Sequence, residues 1–307
     1  MEFLTIPFLS VFVLPTLSSY STRVNIIFFY MTWTTLVLAH TALRVELFGT
    51  LAARLVLYLL PSLLFFIFDI VAPCTAVVFK ERGEAGLPTG SRTRKLTVRE
   101  FRTVGICLFN FTLGIVAQVA VEMFLLKMPK VKPAVKVTMS VPMPWDITKH
   151  LLLGFFTREI LLYTIHRYIL HSKQPVFYPI SQLHNAWFHS LRTPFPLTAH
   201  YDHPIPYLLS SFLPMYIPVW LFGFHMITFL VYTVITSIED TFTFCGYSVM
   251  PSFLLKGVAG RIDRHLSHGG RAYFGRLGFV DMLMGTGGIV DDRLGQVDDS
   301  GSRGRRR

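Results

Sequence analysis

The chain has 307 residues, of which 52% are hydrophobic and only 15% charged, with a mean hydropathy of +0.49. That excludes an ordinary soluble domain. A formal charge of +11 would suit nucleic acid in a soluble protein. Here the basic residues border apolar runs and fill the tail, which anionic headgroups and the positive-inside rule explain without a nucleic-acid partner. Cys74, Cys107 and Cys245 lie in apolar surroundings with no motif spacing, so they indicate neither a disulfide framework nor a zinc site.

Residues 1–18 are apolar but carry Glu2, no basic n-region and no small-residue cleavage site, so a membrane helix or interfacial segment is expected rather than a cleaved signal peptide. Val24–Leu43 is an uncharged run long enough for a bilayer core of about 30 Å, with Arg44 and Arg54 expected at its exit. Leu55–Phe79 is a second expected span, carrying Asp69. That carboxylate either pairs with a neighbouring helix or sits near an interface. A polar, basic loop follows over residues 80–102, then a third span over Thr103–Val121 and a Lys- and Pro-rich connector over 127–144. Both loops are basic and flank one span, so the positive-inside rule leaves the topology open. The sequon at Asn110 lies inside an apolar run and is not expected to be glycosylated.

Ile147–Leu170 reads as a helix whose apolar face is interrupted by Arg158 and Glu159. Residues 204–238 contain no Asp, Glu, Lys or Arg before Glu239, which fits a hairpin of two helices kinked near Pro214 and Pro218. The last segment, 288–307, is polar and basic and reads as a solvated tail. No internal repeat, Walker loop or GxGxxG fingerprint is present.

Six of the chain's 11 histidines fall between His166 and His203. They form the pairs His166–His171 (HRYILH), His184–His189 (HNAWFH) and His200–His203 (HYDH), and a fourth pair, His265–His268 (HLSH), comes later. Neutral imidazole suits iron, copper, zinc and nickel, and burying so many polar rings beside lipid is costly unless something satisfies them. A pair five apart, as in His166 and His171, stands roughly 140° apart on a straight α-helix with a rise of about 7.5 Å. Such a pair could reach different ions, or clasp one if the last turn unwinds. If all the pairs build one site, the chain between them must cross the bilayer an even number of times, which a hairpin does. His40, His150 and His225 stand alone and read as interface or packing residues.

The ordered set HRYILH, LHNAWFHSLRTPFPLTAHYDHP, RIDRHLSHGG and GFVDMLMGT resembles the fatty acid hydroxylase superfamily, the sterol desaturase-like membrane di-iron oxygenases, over residues 147–287. The sequence departs from that pattern where Phe188 precedes His189 and where Gly269 follows His268, at places where the family doubles a histidine. Where the family often has a histidine in its last membrane helix, Glu239 stands here.

The resemblance implies an all-α integral membrane protein, a multi-helix transmembrane bundle with a cytosol-facing, histidine-rich helical cap in the endoplasmic reticulum. Residues 1–146 would hold spans and basic loops, 147–287 the hydroxylase-like unit and 288–307 the tail. It implies two iron ions held by His166, His171, His184, His189, His200, His203, His265 and His268, with Glu239 as a ligand or an orienting group. It also implies O2-dependent hydroxylation or desaturation of a lipid, sterol or terpenoid. Electrons would come from NAD(P)H through cytochrome b5 or a reductase. The alternatives are a redox-neutral lipid-modifying enzyme with a single metal, a non-catalytic membrane relative and a metal transporter. Transport is disfavoured because the histidines cluster near span ends.

Overall fold

The computed structural model describes residues 20–92, 96–191, 193–247, 256–267 and 269–287. Residues 1–18, His268 and the tail 288–307, about which the sequence raised expectations, lie outside the described residues. Among the described residues the elements are helices, with no strand beyond the isolated bridges Lys80–Tyr247 and Lys136–His225. In chain order they are α1 (Tyr20–Ala39), α2 (Ala42–Val71), α3 (Pro73–Phe79), α4 (Val98–Lys127), α5 (Pro144–Ile165), α6 (Tyr178–Trp187), α7 (Pro204–Phe222), α8 (Met226–Thr243), α9 (Lys256–Ser267) and α10 (Phe279–Leu283).

Three of these, α2, α4 and α7, are long and apolar enough to cross a bilayer. Their outward faces carry exposed Phe48, Leu64, Phe109, Val116 and Phe124, an aggregation liability in water and a matched surface in lipid. The expected first span ends sooner than its hydropathy suggested, at Ala39, with a break at His40 and Thr41. Arg44 and Arg54 then lie within α2 rather than at an exit, because the helix runs unbroken from Ala42 to Val71 through a π-helical turn at Leu55–Leu59. It stops at Ala72 (φ −122°, ψ 56°), where Pro73 disfavours helical geometry for the preceding residue. The expected hairpin is present as α7 and α8, joined at Gly223, whose φ of +57° is the left-handed conformation that glycine adopts without strain.

Several buried polar groups between the spans are paired. Asp69, near the end of α2, forms an ion pair with Lys80 at 2.8 Å and accepts from the Tyr247 hydroxyl. The Lys80 ammonium also donates to the Cys245 carbonyl at 2.8 Å. Gln118 on α4 donates to Glu46 on α2 at 2.8 Å, and the Tyr216 hydroxyl on α7 donates to Glu122 on α4 at 3.1 Å.

The two basic loops lie at opposite ends of α4. The first, through Thr193 Oγ1 donating to the Ala85 carbonyl (2.7 Å) and an Arg82–Asp263 ion pair (2.5 Å), shares its end with the histidine segments. The connector after α4 packs at the far end, where the Lys136 amide donates to the Phe224 carbonyl at 2.8 Å. Asn110, buried on α4, donates its side-chain amide to the carbonyls of His200 (2.9 Å) and Asp202 (2.8 Å), tying the 196–203 segment to a membrane helix.

Candidate metal centre

The last turn of α5 solves the spacing problem of His166 and His171. Residues His166–Leu170 form a π-helical turn in which the His171 amide donates to the His166 carbonyl at 3.1 Å. This i→i+5 bond closes a wider turn than an α-helix has, so the residue five on returns to the same face. The two rings lie 5.1 Å apart. His184 sits near the end of α6, and the 3₁₀ turn Phe188–Ser190 that follows swings His189 back to a ring separation of 5.3 Å from His184. From α9, His265 reaches 4.5 Å from His166 and 5.0 Å from His189.

His166, His171, His184 and His265 each present a nitrogen, all within 4.8 Å of one another. His189 joins them with its Nε2 at 3.3 Å from His171 Nε2.

The opposite ring nitrogens are held. His166 Nδ1 donates to the Phe274 carbonyl at 2.9 Å, His265 Nδ1 to the Ala272 carbonyl at 2.7 Å and His184 Nδ1 to the Asp202 carboxylate at 2.6 Å. With the proton on Nδ1, each Nε2 carries a lone pair, and the buried Nε2 atoms of His166, His184 and His265 have no hydrogen-bond partner. Three orphaned acceptors aimed at one point, each with its tautomer fixed from behind, are what a metal ion would satisfy. Burial and the neighbouring imidazoles push His166 and His265 well below the ordinary histidine range, His171 to about 2 and His189 to about 4. These rings are therefore neutral near pH 7, the form that binds metal. The residues present fit a metal ion.

The loop that supplies the carbonyls of Ala272 and Phe274 is itself clamped. Asp281, at the start of α10, accepts from the amides of Phe274 (2.9 Å) and Gly275 (2.8 Å) and from the Thr286 hydroxyl (2.8 Å). Glu159 on α5 accepts from the amides of Arg276, Leu277 and Gly278 at 3.2, 3.1 and 2.7 Å. Gly270 (φ +76°) passes so close to the rings that a Cβ there would meet His171 Cε1 at 2.3 Å. The GFVDMLMGT motif and the charged residue in the α5 apolar face thus act at one remove, by positioning backbone oxygens behind two histidines.

Five of the residues expected as ligands are brought together. His200 is not among them: its Nδ1 meets the Tyr207 hydroxyl at 2.7 Å, and its ring packs on Tyr58 (4.5 Å) and Phe111 (5.7 Å). His203 caps the start of α7, accepting the Ile205 amide at 3.3 Å, and lies against Trp187. Glu239 is bound by the Arg158 guanidinium through both oxygens, at 2.6 and 3.1 Å, and so serves as an ion-pair partner rather than facing the cluster. His268 lies outside the described residues. Asp202, missed in the sequence, was visible inside HYDH as the one carboxylate among the histidines. The two carbonyls left no trace, since every residue has one.

A narrow cavity of about 50 Å³ adjoins the cluster, walled by His166, His184, Tyr207, Phe244, Ile262 and Phe274 among others. Leu162, Tyr207, Ser210, Ser211 and Arg276 border both it and a second cavity of similar size that runs along α7.

Comparison with known proteins places these features. Methylsterol monooxygenase 2-2 of Arabidopsis thaliana is 34% identical over 110 residues, 35% of this chain and 39% of its own length. Fatty acid hydroxylase domain-containing protein 2 of Homo sapiens is 30% identical over 137 residues, 44% of this chain and 38% of its own length. The chain thus spans about two fifths of the curated relatives it matches. No solved structure matches. The fatty acid hydroxylase family model matches residues 151–286, the segment that carries every histidine of the cluster. Within this membrane chain, residues 151–286 are the part similar to the fatty acid hydroxylase family.

Proposed function

We propose that the protein is a membrane-bound oxidoreductase that uses O2 and histidine-held iron to hydroxylate or desaturate a lipid, sterol or terpenoid. The observation that carries this reading is the set of buried Nε2 atoms converging inside the segment that matches the fatty acid hydroxylase family model. His166, His171, His184, His189 and His265 would hold the metal, which when bound supplies O2 activation and oxidation of an unactivated C–H bond. The chain's own part is to bind and orient. Asp202 and the carbonyls of Ala272 and Phe274 keep the Nδ1 protons in place, so the lone pairs face inward. Phe188, Phe244, Ile262 and Phe274 keep the cluster's surroundings dry. The adjoining space admits only a small group, so only the reacting end of a substrate would reach the histidines.

Residues 147–287 would form the catalytic unit on the cytosolic face of the endoplasmic reticulum. Residues 1–146 would supply spans and loops, and 288–307 a solvated tail. Electrons would come from NAD(P)H through cytochrome b5 or a reductase, the chain showing no nucleotide fingerprint.

Membranes containing the chain, given NADPH, isotopically labelled O2 and a panel of sterols and fatty acyl lipids, should yield a labelled hydroxylated product or an alkene by mass spectrometry. His184→Ala membranes should yield neither, and an active, iron-replete His184→Ala protein would overturn the reading. The departures at Phe188 and Gly269 favour a second reading, redox-neutral lipid chemistry at a single metal; a product formed without O2 would select it.

A further inference from the structure

Three sets of contacts bear on how many ions the cluster holds. The first is its compactness. Ligand nitrogens about 2.1 Å from one ion lie roughly 3 to 4 Å from one another. The His171 and His189 Nε2 atoms are 3.3 Å apart, and the four-histidine group falls within 4.8 Å. Five imidazoles shared between two ions would leave both poorly ligated.

The second is the commitment of the other expected ligands. The His200 ring packs on Tyr58 and Phe111 away from the cluster, His203 Nδ1 accepts the Ile205 amide, and Glu239 is bound by Arg158. His268, outside the described residues, would add a single imidazole, and Gly269 after it adds none.

The third is what occupies the ground beside His184. Phe188 stacks on its ring at 5.1 Å, with 15° between the planes. Phe188 belongs to an apolar cluster with Tyr58, Phe111, Ala199, Phe244 and Ile262, and the Arg276 guanidinium lies over the Phe244 ring at 5.6 Å. The neighbouring cavity is bordered by Arg54, Arg158 and Arg276. Of the nearby carboxylates, Glu239 is paired with Arg158, Asp240 with Arg276, and Asp202 holds His184 Nδ1. A second divalent ion there would meet aromatic rings and guanidinium charge, which raise the cost of its desolvation.

We infer that this chain holds one divalent first-row transition metal ion rather than a pair, bound by His166, His171, His184, His189 and His265. The inference rests on the reading of the cluster as a metal centre and changes the chemistry open to it, since a single ion offers no partner metal to share the oxidation.

The full chain, purified in detergent and loaded anaerobically with Fe(II), tests this by metal analysis against protein concentration. One iron per chain is expected. After oxidation, electron paramagnetic resonance should assign all of it to an isolated high-spin ferric ion. His200→Gln and His203→Ala should keep that one ion, whereas His265→Ala should lose it with helical circular dichroism retained. If His265→Ala does not fold, His171→Ala, at a half-exposed ring, serves the same purpose.

Two irons per chain, or an exchange-coupled pair silent in resonance, would overturn the single-ion inference and leave the metal-centre reading standing. Loss of the ion in His200→Gln would overturn the ligand set. Failure to bind iron, zinc, manganese or cobalt stoichiometrically would end both readings.

Discussion

Two groups of histidines from the same run of sequence meet opposite fates. His166, His171, His184, His189 and His265 converge, while His200 and His203 turn to local partners. Ring burial does not separate them, because burial also drives His200 to about 3, as neutral as the convergent rings. What differs is the surroundings. In the convergent group Nδ1 of His166, His184 and His265 donates to a carbonyl or carboxylate held by the fold, which leaves Nε2 facing the cluster. In His203 the Nδ1 lone pair is spent on a helix cap, and the His200 ring is packed away against Tyr58 and Phe111.

The sharpest way to break this comparison is to delete a convergent ring. His166→Ala or His184→Ala should abolish both bound metal and oxidation, while His40→Ala, on the membrane side, changes neither; metal analysis and product detection on the same preparations decide it. Glu239→Ala should cost about 3 kcal/mol or more of stability, because it strands the Arg158 guanidinium in the interior. The remaining folded protein should keep its metal. Thermal unfolding alongside metal content checks this, and loss of metal at unchanged stability would make Glu239 a ligand.

Asp202→Asn should weaken metal affinity by about 10- to 100-fold without abolishing binding, since it perturbs only the orientation and basicity of His184. Competition with a chelator of known affinity measures that shift. The smallest effect belongs to His203→Ala, which removes a long capping contact of 3.3 Å, worth about 0.5 kcal/mol, and leaves metal affinity unchanged.

Much of the architecture is a matter of hydropathy and was readable in advance. The all-helical class, a run of long apolar helices, and the helical hairpin between His203 and His265 follow from run lengths and the absence of charge between Pro204 and Ile238. Boundaries were less legible. Arg54 looked like part of a span exit but sits inside α2, because helix continuation depends on the local backbone: the π-helical turn before Pro61 lets the helix run on, and it stops only before Pro73.

By itself the chain's order of residues determined that imidazoles would gather at one end of a membrane bundle, because residue type, spacing and hydropathy are local properties. Only the tertiary structure decided which imidazoles meet. A π-helical turn realigned His166 and His171, Asn110 anchored the carbonyls of His200 and Asp202, and Glu159 with Asp281 set the carbonyls behind His166 and His265. Those contacts join residues far apart in the chain, several of them through backbone atoms that every residue carries, so no motif could have announced them.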